Sequence, residues 1–144
     1  MAGLGARRES GNHPRMKTVL IFPSTHTLSH IGRALALAEW LRAEGWSVHL
    51  GVATSRLEWT AGFWSQSHPV REIWESTRIP FPCFQWFSDA DEIERCIRSQ
   101  EDLLRELDPD VVVGIFDYVS GISAANRLRI SINSACMMPD YPGV

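Results

Sequence analysis

Between Lys17 and Thr54 the chain runs through an apolar stretch stopped by Pro23, a polar loop without glycine, a Leu/Ala-rich amphipathic stretch, Gly45 and a second apolar stretch. Few folds accept that order. Lys17 to Phe22 is short, β-branched and apolar, as a strand buried on both faces must be. From about Ser29 or His30 to Glu44, the apolar residues Ile31, Ala34, Leu35, Ala38 and Leu41 recur at helical spacing, and Arg33, Glu39, Arg42 and Glu44 take the wet face. Thr27 or Ser29 is placed to cap the start, and Gly45 to end the helix. Trp46 to Thr54 then reads as a second strand, so the opening is a β-α-β unit with a parallel pair.

The rest repeats the alternation. A short polar helix or loop is expected over Ser55 to Ser67, a third strand over Val70 to Trp74, and a non-helical segment over Ile79 to Phe87, where Pro80 and Pro82 interrupt. Ser88 is placed to cap a long helix with Ile93, Cys96, Ile97, Leu104 and Leu107 on its apolar face, ended by Asp108-Pro109. Asp110 to Phe116 is the clearest buried strand. A helix from about Val119 to Leu128 and a strand from Ile130 to Ala135 complete the pattern. The predicted fold is α/β, a Rossmann-like parallel sheet of about five strands with helices on both faces. The right-handed crossover rule puts strand one centrally, beside strands two and four.

With 144 residues, one domain is expected, over residues 16–144, behind a flexible tail over residues 1–15. A net charge of -3 offers no general attraction to nucleic acid. Cys83, Cys96 and Cys136 are few, odd in number and far apart. They suit a reducing, cytoplasmic setting and indicate neither zinc nor a disulfide framework. No apolar run approaches the ~18 residues that span a bilayer. Residues 1–15 lack the apolar stretch of a secretory signal.

Chemistry concentrates where strands end. His30 falls at the mouth of the first helix, by the carboxyl end of strand one, the edge where open parallel sheets bind ligands. As a general base it would use an imidazole titrating near neutral pH. A base of this kind needs an orienting carboxylate on its other nitrogen to fix the tautomer, and Asp117, directly after the strongest strand, is the one suitable candidate. The two are therefore expected within hydrogen-bond reach. The plainer readings are a capping or packing histidine and an aspartate that merely ends a strand. His26 shares the loop of Ser24, Thr25, Thr27 and Ser29 and is a second candidate for ligand contact, against a solvated loop residue. Gly121 leaves room for close backbone approach.

Aromatic residues from Trp59 to Phe87, Trp86 among them, would either cover the sheet edge or wall a site for a lipid, phenolic or sugar-ring acceptor. No metal-ligand spacing is present, and strand one is followed by no G-x-G-x-x-G or P-loop pattern, which argues against a dinucleotide- or flavin-binding domain.

The stretch from Lys17 to Thr54 resembles the opening of GT-B glycosyltransferases, with Ser29-His30-Ile31-Gly32-Arg33 standing where many members have Gly-His-x-x-Pro. Val112-Val113-Gly114 followed by Tyr118-Val119-Ser120-Gly121 is similar to the bacterial N-acetylglucosaminyltransferase that completes the peptidoglycan lipid precursor. Asp117 matches the aspartate that orients the catalytic histidine in plant-type UDP-sugar transferases. The resemblance implies an N-terminal, acceptor-binding half of an inverting glycosyltransferase. His30 would be the base, Asp117 its partner, and His26, Ser29, Tyr118, Ser120, Gly121 and Trp86 substrate contacts, with no metal and no cofactor. The partners implied are a nucleotide-sugar donor, held by a C-terminal half that is absent or separate, and a small-molecule or lipid-linked acceptor. Peripheral membrane contact is compatible with the latter. A different class of reading is a non-catalytic binding or scaffold module on the same fold.

Overall fold

In a computed structural model, residues 15–76 and 88–133 are described. They form a five-stranded, wholly parallel sheet in the order β3-β2-β1-β4-β5. The strands are β1 (Thr18–Pro23), β2 (Ser47–Ala53), β3 (Ser67–Val70), β4 (Val111–Ile115) and β5 (Arg129–Ile132). The helices are α1 (Leu28–Ala43), α2 (Leu57–Ala61), α3 (Ala90–Leu107) and α4 (Ser120–Ser123). Strand one is central beside β2 and β4, as the sequence predicts.

Strand alternation sorts the core into two layers. Val19, Ile21, Val48, Leu50, Val52, Val113 and Ile115 pack with Ala34 and Ala38 of α1. Leu20, Phe22, Val70 and Val112 face the other way and pack with Leu103 and Leu104 of α3. Gly51 lies on the second face because a Cβ there would stand 2.5 Å from the Phe22 ring. Gly45, with φ +85°, makes the turn out of α1 that only glycine enters without strain.

Three local expectations are corrected. The third strand is Ser67–Val70, not Val70 to Trp74; Ile73–Ser76 is a 3₁₀ turn. This strand is one edge of the sheet, where Pro69 costs no ladder bond and polar Ser67 and His68 hide the apolar signal. Asp89 rather than Ser88 caps α3, its carboxylate accepting from the Glu92 N–H at 3.0 Å. The helix predicted to Leu128 stops at Ser123, because the Ala125 and Arg127 N–H groups bond three residues back, tightening the turn. The Ile79 to Phe87 segment lies outside the described residues. Among the described residues, no helix is long and apolar enough to cross a membrane.

Candidate functional site

Strands β1 and β4 are neighbours whose connections leave in opposite directions, so a crevice opens between their carboxyl ends. The loop over residues 24–27 and the segment over residues 116–119 border it, and both carry predicted site residues.

His30 lies in the first turn of α1, nearly buried. Its Nδ1 stands 2.9 Å from the Ser24 carbonyl oxygen. A carbonyl only accepts, so Nδ1 carries the proton and Nε2 holds the lone pair. Burial holds the imidazole below its usual pKa, the Ser24 carbonyl opposes this, and the Arg33 charge adds to the lowering. Neutral, with Nε2 unprotonated, is the form a base requires.

Asp117 makes no hydrogen bond to His30. The carboxylate accepts instead from Gln100 Nε2 at 3.2 and 3.3 Å and from the Ser120 N–H at 3.0 Å. The expected direct His30–Asp117 hydrogen bond is therefore corrected, and the cause is one backbone angle. Phe116 has φ +53°, a left-handed conformation. It breaks the alternation of β4, so Ile115 and Phe116 both pack toward the α1 layer while Asp117 turns to Gln100 of α3. The two residues share a sheet edge and lie on its opposite faces. Phe116 stays with His30, stacked on the imidazole at 4.3 Å, and Arg33 stands 5.6 Å over the Phe116 ring.

The other predicted contacts divide. His26 joins His30: the rings meet edge to face at 4.9 Å, and Ser24 Oγ lies 2.8 Å from His26 Nδ1. Burial first, then the neighbouring His30, pushes its pKa down to about 4. Ser29 is exposed beside His30, its hydroxyl 3.0 Å from that of Thr27, and Tyr118 is exposed at the same edge. Ser120, expected as a substrate contact, makes internal hydrogen bonds. It is fully buried, and its hydroxyl donates to the Asp117 carbonyl and accepts from Arg129. Gly121 is exposed, and a Cβ there would meet Arg129 only at an ordinary 3.9 Å, so close packing does not demand glycine. Trp86 lies outside the described residues.

Sequence reasoning missed Glu72. Directly past β3, this buried side chain accepts from the Thr25 N–H at 2.8 and 3.2 Å, from the Thr25 hydroxyl at 2.8 Å and from the Trp74 indole. Burial, with the Asp117 charge as a lesser contribution, pushes its pKa up to about 8, against the lowering by its hydrogen bonds. Its only signal was a glutamate sitting between Val70 and Ile73, both of which are buried. Desolvation also raises the Asp117 pKa. Two buried carboxylates thus stand under the crevice. Among the described residues, no group of three His, Cys, Asp or Glu side chains could hold a metal ion.

No protein-family model matches this sequence, and no curated protein matches it. Solved structures do. The glycotransferase of kitacinnamycin superposes with a TM-score of 0.65 and 20% identity, over 83% of this chain and 31% of that one. Spinosyn forosaminyltransferase SpnP gives 0.61 and 19%, over 83% and 31%. MurG of Acinetobacter baumannii gives 0.61 and 17%, over 81% and 35%. The chain spans about a third of the length of these structures. At such identities the likeness is one of fold. By fold, then, the described residues of this chain form a five-stranded, Rossmann-like α/β unit of the kind GT-B glycosyltransferases contain, the architecture that its sequence resembles.

Proposed function

We propose that the chain is the acceptor-binding half of an inverting glycosyltransferase, acting in the cytoplasm, with His30 as its general base. The observation that carries this reading is the fixed tautomer of His30, whose Nδ1–H is held by the Ser24 carbonyl at the mouth of the crevice. Nε2 takes the proton of an acceptor hydroxyl as the oxygen attacks the anomeric carbon of a nucleotide-sugar. The bond to the nucleoside diphosphate breaks in the same step, and the diphosphate leaves with the electron pair. Attack opposite the leaving group inverts the anomeric centre. The Phe116 ring, stacked parallel to the imidazole at 4.3 Å, covers one of its faces.

The donor is held by a second unit, on a separate polypeptide or elsewhere in a longer chain, in keeping with a span of about a third of the matched structures. In this reading Asp117 serves by capping the Ser120 N–H and fixing the segment that follows β4. His26, Ser29, Tyr118 and Trp86 remain proposed acceptor contacts. The test combines the chain with a donor-binding half and follows nucleotide-sugar consumption with and without a hydroxyl acceptor. Acceptor-dependent release of nucleoside diphosphate, lost in His30→Ala, supports the enzyme. Acceptor binding with undiminished partner activity in His30→Ala would instead select a non-catalytic binding module.

A further inference from the structure

A carboxylate other than Asp117 is connected to His30 through the backbone. Glu72 accepts from the Thr25 N–H, and the Ser24 carbonyl accepts from His30 Nδ1. That N–H and that carbonyl belong to one peptide group, between Ser24 and Thr25. A peptide unit is rigid and planar, with its N–H and C=O pointing in opposite directions. A carboxylate at one end therefore fixes the direction of the carbonyl at the other.

We propose that Glu72 is the positioning residue for His30, acting through the Ser24–Thr25 peptide in place of a direct carboxylate–imidazole contact. Its functional meaning rests on the reading of His30 as a base. Two features support it. Glu72 is committed to this peptide twice over, since the Thr25 hydroxyl also donates to it and in turn accepts from the Ala53 N–H at 3.3 Å, tying the loop to the end of β2. The contact is also buried, with Thr25 fully and Glu72 almost fully out of solvent, where aligned hydrogen bonds polarise one another. Once Glu72 ionises, above about pH 8, its negative charge on the N–H side raises the electron density on the carbonyl oxygen. The Nδ1–H bond to that oxygen strengthens, and Nε2 becomes a better proton acceptor.

The experiment is nitrogen-15 NMR of the histidine side chains in this chain, which needs neither partner nor substrate. Wild type should show His30 in the Nδ1–H form, its Nδ1–H resonance moving as pH rises through about 8 and Glu72 ionises. Glu72→Gln keeps an oxygen for the Thr25 N–H and an amide for the Thr25 hydroxyl, so the tautomer should persist while the movement disappears. His26 and Arg33 face His30 in both proteins, and Asp117, whose charge is coupled to Glu72, is controlled by Asp117→Asn, in which the movement should persist. Glu72→Leu, with its sheet intact by circular dichroism, should lose the single tautomer and give a mixture. A His30 resonance that does not move in wild type, or that moves equally in Glu72→Gln, overturns the proposal even if Glu72→Leu fails to fold. An inactive transferase with these resonances as expected would count against the function, not against Glu72.

Discussion

Phe116 lies flat on His30, with ring planes 3° apart and centroids at 4.3 Å, and holds that place with a backbone φ of +53°. A bulky residue in the left-handed region is strained by roughly 1–2 kcal/mol, a cost met where surrounding structure over-determines it and one that clusters at functional sites. The strain and the stack arise together: the turn that brings the ring to the imidazole also sends Asp117 to the other face.

That relation reverses the usual order of two substitutions. Glycine ordinarily costs more than alanine, but at residue 116 it relieves the positive φ while both remove the ring. Phe116→Gly should be more stable than Phe116→Ala by about 1 kcal/mol in urea denaturation. Equal or inverted stabilities would show that the backbone is not strained there.

Gly114 carries the opposite expectation. A Cβ on it would stand 2.6 Å from Ser120 Oγ, 3.0 Å from Arg129 Nη2 and 3.2 Å from the Asp117 carbonyl. Gly114→Ala should destabilise the fold by about 1–3 kcal/mol through overpacking, read as a lower urea midpoint at unchanged slope.

The pH dependence follows from the buried groups. Glu72 has a folded pKa of about 8, above its ordinary 4.5, so its contribution is full below 4.5 and is lost as pH rises through 8. His26 and His30 are lowered from 6.5, so theirs is present above 6.5 and lost toward acid. The two trends oppose each other below 6.5, and above it Glu72 acts without them. Stability should fall from pH 6.5 to 8 in wild type, and Glu72→Gln should flatten that fall in denaturation curves taken across the range.

Asp117→Asn separates the two carboxylates. It trades an acceptor for an amide facing the Gln100 amide and should cost about 1–2 kcal/mol, as a buried donor is left unsatisfied. Because Asp117 makes no hydrogen bond to His30, the tautomer of His30 should not change. A mixed tautomer in this variant would restore Asp117 as the orienting group.

Much of this was legible in the residues. The apolar runs of β1, β2 and β4 face core on both sides, so their composition shows, and alternation with α1 and α3 dictates the parallel order. The edge strand β3 was not legible, because Ser67, His68 and Pro69 need no buried pattern there. The position of His30 at the helix mouth could be read; its partner could not. Which carboxylate serves it depends on the sign of one φ at Phe116 and on a tertiary contact between Glu72, just past β3, and the loop after β1. Neither leaves a periodic trace. Glu72 could not be singled out, since burial of a glutamate follows from packing around it and not from its own type.

The central claim is that His30 Nε2 is the proton acceptor, and the most direct measurement is the rate of sugar transfer by the chain together with a donor-binding half, wild type against His30→Ala. The account predicts a fall of about 10²–10⁴-fold in kcat, the range of general-base assistance, with acceptor binding by calorimetry retained. Transfer at the wild-type rate in His30→Ala would contradict it.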